Sequence, residues 1–348
     1  MSRVGRVLTA LALVLVALPV LIGAGNGNDA AARAEHQRII DFWTPERVAR
    51  AVPRDFIFDP GGGRYAPAHH RPGHPGGPGG GPGDGDSTVV TGDSWTGGGE
   101  VADGTGKVLF AMGSSYFICS ASVVDDTANG RSIILTAAHC VFNESTGLFA
   151  TNWMFIPNYD AAPAQLTTNG SFCPQTEYGC WSATALTVHN GYATAGGFND
   201  QAVLYDWGFA VVGLGGHSGD TLVETLGDFA ASFNPVPVDS SVTGHAFGYP
   251  AEKKYKGNDL IYCSNKIDGD PYNDDDTYRM NQCKLNGGSS GGPWFSGFVN
   301  GSGTLISVNS YGYGGVTAMH GPFFNSDTAA TYNAALTATS NTKVGSAP

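Results

Sequence analysis

Gly287-Gly288-Ser289-Ser290-Gly291-Gly292-Pro293-Trp294 sets serine between two glycine pairs and closes with proline and tryptophan. Glycine lets a backbone take left-handed or crowded conformations and lets another chain approach closely. A nucleophile loop needs those freedoms, because an exposed Oγ must sit beside two backbone N–H groups aimed at one point. Such a pair forms an oxyanion hole, and losing one donor costs about 3–4 kcal/mol of transition-state stabilisation. A tight Gly-Ser turn between strands is the plainer reading in a chain that holds 51 glycines.

Two stretches upstream favour chemistry. Leu135-Thr136-Ala137-Ala138-His139-Cys140 follows the strand-like Arg131-Ser132-Ile133-Ile134, so a histidine is held just past a strand between small residues and a cysteine. Tyr205-Asp206-Trp207-Gly208-Phe209-Ala210-Val211-Val212 sets one carboxylate at the head of an apolar run. A carboxylate buried there needs a hydrogen-bonding partner, and the imidazole N–H of a catalytic histidine is one. Gly288-Ser289-Ser290-Gly291-Gly292 also fits the G-x-S-x-G elbow of α/β-hydrolases, which run Ser, acid, His. Little chain follows Ser290, and His320 is the sole histidine in it. The order here is His139, Asp206, Ser290.

At these residues the sequence resembles the chymotrypsin/trypsin family of serine proteases. T-A-A-H-C matches the family block residue for residue, and G-S-S-G-G-P differs from the usual G-D-S-G-G-P only at Ser289. Gly106-Lys107-Val108-Leu109-Phe110, Phe247-Gly248-Tyr249-Pro250-Ala251 and Trp43-Thr44-Pro45-Glu46-Arg47 look like its secreted bacterial trypsin-like branch. The resemblance covers residues 87–335. It implies an all-β fold of two packed antiparallel β-barrels with a C-terminal helix, and hydrolysis of peptide bonds through an acyl-enzyme.

In that scheme Ser290 attacks, His139 takes its proton, and Asp206 holds the imidazole, with Asp200 the alternative acid. The N–H groups of Gly288 and Ser290 receive the oxyanion, and Ser310-Tyr311-Gly312 pairs with the substrate chain. A weakly active protease-like binding protein, or an esterase using the same triad, is the competing function. The resemblance implies a Cys119–Cys140 disulfide behind the histidine and a Cys263–Cys283 link ahead of the nucleophile. Cys173 and Cys180 bracket a short loop of their own. No C-x-x-C occurs, so no metal is expected, nor any cofactor.

Specificity stays open. In trypsin an aspartate lies six residues before the nucleophile; here that position is Lys284. Asn309 stands where glutamate-specific relatives carry a histidine. Ser289 replaces the aspartate that binds a freed N-terminus in trypsin-like zymogens, and a hydroxyl cannot compensate a buried ammonium. The loop is therefore expected to be ordered by local hydrogen bonds and the Cys263–Cys283 link.

The start reads as a secretory signal over residues 1–24, with cleavage as late as 32: Arg3 and Arg6 precede an uncharged apolar stretch at 7–22. That stretch is shorter than the roughly 20 residues a spanning helix needs. Export and six cysteines together imply disulfides. Residues 25–59 read as a propeptide, in which Thr44 caps a short helix that opens on Pro45 and stops before Pro53. Residues 60–86 are nearly all Gly, Pro, His and Asp and read as a linker; His69, His70 and His74 lie there as ordinary solvated side chains. Residues 87–348 form the protease domain, with short strand-like runs split by turn residues and helical character at 328–336.

Net charge is −12, and from Ser87 onward 9 basic residues face 22 acidic ones. An acidic domain argues against nucleic acid or an anionic membrane as partner. The expected partner is a polypeptide substrate, met by a monomer outside the cell.

Overall fold

The computed structural model describes residues 27–68, 89–125, 130–159, 173–251 and 254–346. The signal stretch, the histidines at 69, 70 and 74 and most of the linker lie outside the described residues.

The segment read as a propeptide is folded and docked. Helices α1 (Gly27–Phe42) and α2 (Pro45–Arg50) are followed by strands β1 (Val52–Pro53), β2 (Phe56–Asp59) and β3 (Arg64–Pro67). Thr44 caps α2, its hydroxyl accepting from the Arg47 N–H. With six residues, α2 is too short to persist alone in water, so packing holds it. Ile39 and Trp43 are buried, and the Trp43 indole donates to the Asn152 carbonyl at 2.7 Å. Burying a side chain such as Ile39 stabilises the docked state by about 1.5–3 kcal/mol. The structure moves one boundary: Arg64–Pro67, read as the start of the linker, pairs antiparallel with β2. Arg64, Tyr65 and Ala66 interrupt the Gly/Pro run and supply side chains that a strand can use.

The domain proper begins with β4 (Val90–Ser94) and α3 (Glu100–Gly104). Next come β5 (Thr105–Met112), β6 (Ser115–Val124), β7 (Ser132–Thr136), a small hairpin of β8 (Phe142–Asn143) and β9 (Leu148–Phe149), and β10 (Thr151–Pro157). Then follow β11 (Trp181–His189), α4 (Asn190–Ala193), α5 (Asp200–Leu204), β12 (Gly208–Val212) and α6 (Leu222–Leu226). Strands β5, β6, β7, β10, β11 and β12 close on themselves through β6–β7 pairing. Closure leaves no free edge. Every residue of β5, β7 and β12 is buried, which is why residues 108–112, 133–135 and 209–212 read as continuous apolar runs rather than alternating ones.

The second unit holds β13 (Asp239–Gly248), β14 (Ile261–Gly269), β15 (Thr277–Asn281), β16 (Pro293–Val299), β17 (Ser302–Val308), β18 (Tyr311–Tyr313) and β19 (Ala318–Pro322). Helix α7 (Ser326–Thr337) and β20 (Thr342–Val344) end the chain, and β20 returns to pair with β11 of the first unit. The second sheet runs β17-β16-β13-β14-β15-β19-β18-β2-β3, with β4 beside β14. Its last two members come from the N-terminal segment. β2 lies parallel to β18, with Tyr311 opposite Phe56 and Tyr313 opposite Phe58. Three disulfides are present: Cys119–Cys140, Cys173–Cys180 and Cys263–Cys283.

Candidate active site

His139 leaves β7 on a 3₁₀ turn, Ala138–Cys140, and is completely buried. Its Nδ1 lies 2.8 Å from Asp206 Oδ2, and its backbone N–H donates to Asp206 Oδ1 at 2.9 Å. The Ser310 hydroxyl donates to Asp206 Oδ2 at 2.5 Å. Asp206 is itself fully buried, so these three donors stand in for the water it has lost. With a carboxylate on Nδ1, the neutral imidazole keeps its proton there and leaves Nε2 free to accept one. Nε2 is buried and has no hydrogen-bond partner among the described residues. Asp200 instead opens α5 and lines a separate cavity with Tyr65 and Tyr313.

The loop at 287–292 is clamped from several sides. Gly288 has φ +99°, and a Cβ there would meet the Tyr249 carbonyl at 2.8 Å. At Gly291, φ is +79° and a Cβ would lie 2.1 Å from Thr136 Oγ1. Neither position admits another residue without moving the loop. Ser120 of β6 donates its N–H to the Ser290 carbonyl at 2.7 Å and its hydroxyl to the Gly288 carbonyl at 2.9 Å. Ser289 is buried and donates to the Asn286 carbonyl at 2.7 Å. Asn309 Nδ2 donates to the carbonyls of Ser289 and Phe247, while its Oδ1 accepts from the Trp294 indole. Asn309 therefore braces the loop from behind.

A cavity of about 270 Å³ opens beside Ser290, with Tyr255, Lys284, Gly312, Thr317 and Met319 in its walls. Lys284 is half-buried there and donates from Nζ to Thr91 Oγ1 at 3.1 Å. One wall is β18, held from beneath by Asp270. That buried carboxylate accepts from the hydroxyls of Tyr311 and Tyr313, each at 2.7 Å. Burial pushes the Tyr311 phenol well above its usual range, with Tyr313 and Asp270 adding to the shift, so it stays a donor. Ser310 thus points its hydroxyl at Asp206, while Tyr311 and Gly312 present strand backbone.

That backbone is taken. Asp55, in the short connection between β1 and β2, accepts from Ser290 Oγ at 2.6 Å through Oδ1 and from the Gly288 N–H at 3.0 Å through Oδ2. The neighbours of Asp55 flank His139. The Phe56 ring meets the imidazole edge-on at 5.6 Å, and Arg54 Nη1 donates to the His139 carbonyl at 2.5 Å. Arg54 also pairs with Glu144 through Nη2 at 2.7 Å, and Glu144 Oε2 accepts from the Tyr192 hydroxyl at 3.0 Å. Three consecutive residues, 54 to 56, thereby bring His139 and Ser290 into one contact set.

The reading of the sequence missed Arg54, Asp55, Ser120, Glu144, Tyr192 and Asp270. Only the first two carried a signal: an Arg-Asp pair between Val52-Pro53 and Phe56-Ile57-Phe58, a charged dipeptide inside an apolar strand-like run.

Among solved structures, the chain is similar to the protease Anisep from Arthrobacter nicotinovorans, with 34% identity and a TM-score of 0.56, covering 68% of this chain and 96% of that one. It is also similar to the thermostable serine protease AL20 from an extremophilic microorganism, with 31% identity and a TM-score of 0.57, covering 69% and 99%. A Glu endopeptidase shares the fold at 20% identity and a TM-score of 0.50, covering 71% and 97%. No protein-family model matches the chain, and no curated protein matches it.

Proposed function

Because the chain belongs to the chymotrypsin/trypsin-like serine proteases, we propose that it is a secreted serine endopeptidase whose own N-terminal segment blocks its site until that segment is removed. Once the site is free, Ser290 Oγ attacks the substrate carbonyl and passes its proton to His139 Nε2. Asp206 fixes the tautomer and stabilises the imidazolium, and the proton goes on to the leaving amine. The Gly288 and Ser290 N–H groups take the developing oxyanion. Water then hydrolyses the acyl-enzyme by the reverse proton path. The acyl side of the substrate adds as a strand along β18.

The observation that carries this reading is the contact of Asp55 with Ser290 and Gly288. A carboxylate there accepts the proton that His139 would take and occupies the donor that an oxyanion would use. The catalytic groups therefore sit where an anionic, carbonyl-like ligand is bound. In this reading the segment inhibits through the group that it brings to the nucleophile. It carries a side-chain carboxylate, not a main-chain carbonyl, to Ser290. Export is supported by three disulfides, which persist in oxidising compartments. Among the described residues no helix is long and apolar enough to cross a membrane.

A fluorophosphonate probe tests the proposal. The processed protein should be labelled at Ser290, and Ser290→Ala should abolish both labelling and cleavage of a denatured protein. Labelling at Ser289, or cleavage that survives the substitution, refutes it.

A further inference from the structure

The Arg54 guanidinium sits in a socket whose walls, apart from Phe56, belong to the protease domain. Glu144 Oε2 lies 2.7 Å from Nη2, the His139 carbonyl accepts from Nη1 at 2.5 Å, and the Phe117 ring lies 6.0 Å from Cζ. Glu144 is only 5% exposed, and among the described residues Arg54 is the one cation paired with it. Its other partner, the Tyr192 hydroxyl, is neutral and fully buried. When the N-terminal segment departs, Glu144 loses that counter-charge, and its carboxylate is left in the socket that Arg54 vacates, beside the His139 carbonyl. A carboxylate in a partly enclosed socket gains more from a counter-charge than one in open water, so the vacated socket favours any cation that reaches it.

The docked segment also shows which part of a substrate reaches it. Val52 and Pro53 pair with Phe117 and Ile118 of β6, Asp55 meets Ser290, and Phe56 to Phe58 lie along β18. The nucleophile thus divides a groove with β18 on one side and β6 on the other. The acyl part of a substrate uses β18, which leaves the β6 side for the leaving group.

Resting on the endopeptidase reading above, we propose that Glu144 forms a subsite for a lysine or arginine side chain one or two residues beyond the scissile bond. A guanidinium suits it best. Its fork can donate to the Glu144 carboxylate and the His139 carbonyl at once, as Arg54 does, whereas an ammonium is a single point of charge.

The test uses enzyme processed from the full chain. Digestion of denatured casein, with mass spectrometry of the products, fixes the acyl side and shows which residues follow the cut. Quenched peptides with that acyl side, varied among Arg, Lys, Gln and Glu at the next two positions, then give kcat/KM. Arg should exceed Gln by about tenfold or more at one of these positions, with Glu lowest. In Glu144→Gln that ratio should fall to within about twofold. Should that variant fail to fold, Glu144→Asp should lower the ratio while keeping its sign. A wild-type ratio near one overturns the subsite and leaves the endopeptidase standing. A chain that cleaves no peptide and no casein removes both.

Discussion

Replacing Asp55 by alanine isolates the contact that silences Ser290. Two bonds are lost, from Ser290 Oγ at 2.6 Å and from the Gly288 N–H at 3.0 Å. A hydrogen bond to a charged acceptor contributes about 1.5–3 kcal/mol net, so the pair holds the blocked arrangement by about 3 kcal/mol at the low end. Each 1.36 kcal/mol is a factor of ten, so Ser290 should react about a hundredfold faster in Asp55→Ala. The strands and Arg54 remain in place, so the gain is confined to the nucleophile. The assay is the rate of fluorophosphonate labelling of the uncut chain, read from the full-length band on a gel, with Ser290→Ala as blank. Labelling of Asp55→Ala within about twofold of wild type would refute the argument that this carboxylate is what disarms the serine.

Ser290→Ala in the processed enzyme should lower kcat by about a million-fold, as triad knockouts do; a loss of less than a hundredfold would point to another nucleophile. Asp206→Asn should cost about ten-thousandfold through the wrong imidazole tautomer, measured as kcat on a peptide with the fold checked by circular dichroism. Removing the Cys119–Cys140 bridge, which spans a separation of 21 residues, should destabilise the domain by about 3 kcal/mol, seen as a lower urea midpoint. Burial pushes His320 down to about 4, against a pull upward from Asp270. The unfolded ring therefore binds a proton between about pH 6.5 and 4 while the folded ring does not, and stability falls as pH drops through that window. The fall attributable to this ring is up to about 3 kcal/mol. Urea midpoints at pH 7 and 4.5 should accordingly draw closer together in His320→Phe than in wild type; an unchanged gap would exclude His320 as the source.

The nucleophile loop was legible because its requirement is local. Gly288 and Gly291 hold φ of +99° and +79°, a backbone state that glycine takes freely, and the pattern 287–294 records both positions in order. The helix cap at Thr44, the buried strand Gly208–Val212 and the C-terminal helix are local in the same sense, each carried by spacing or propensity within one segment. The sequence already favoured Asp206, at the head of an apolar run, over Asp200, and the fold sets Asp206 Oδ2 2.8 Å from His139 Nδ1 while Asp200 opens α5. Which residues far apart in the chain meet one another left no trace. Asp55 and Ser290 are 235 positions apart, Arg54 and Glu144 90, and Ser120 and Gly288 168. Ser120 and Glu144, taken alone, read as ordinary solvated side chains, and Arg54-Asp55 shows only as a charged pair inside an apolar run. What makes them a site is the loss of water around them, and burial is a property of how strands from both ends of the chain pack together, which no single stretch of sequence contains.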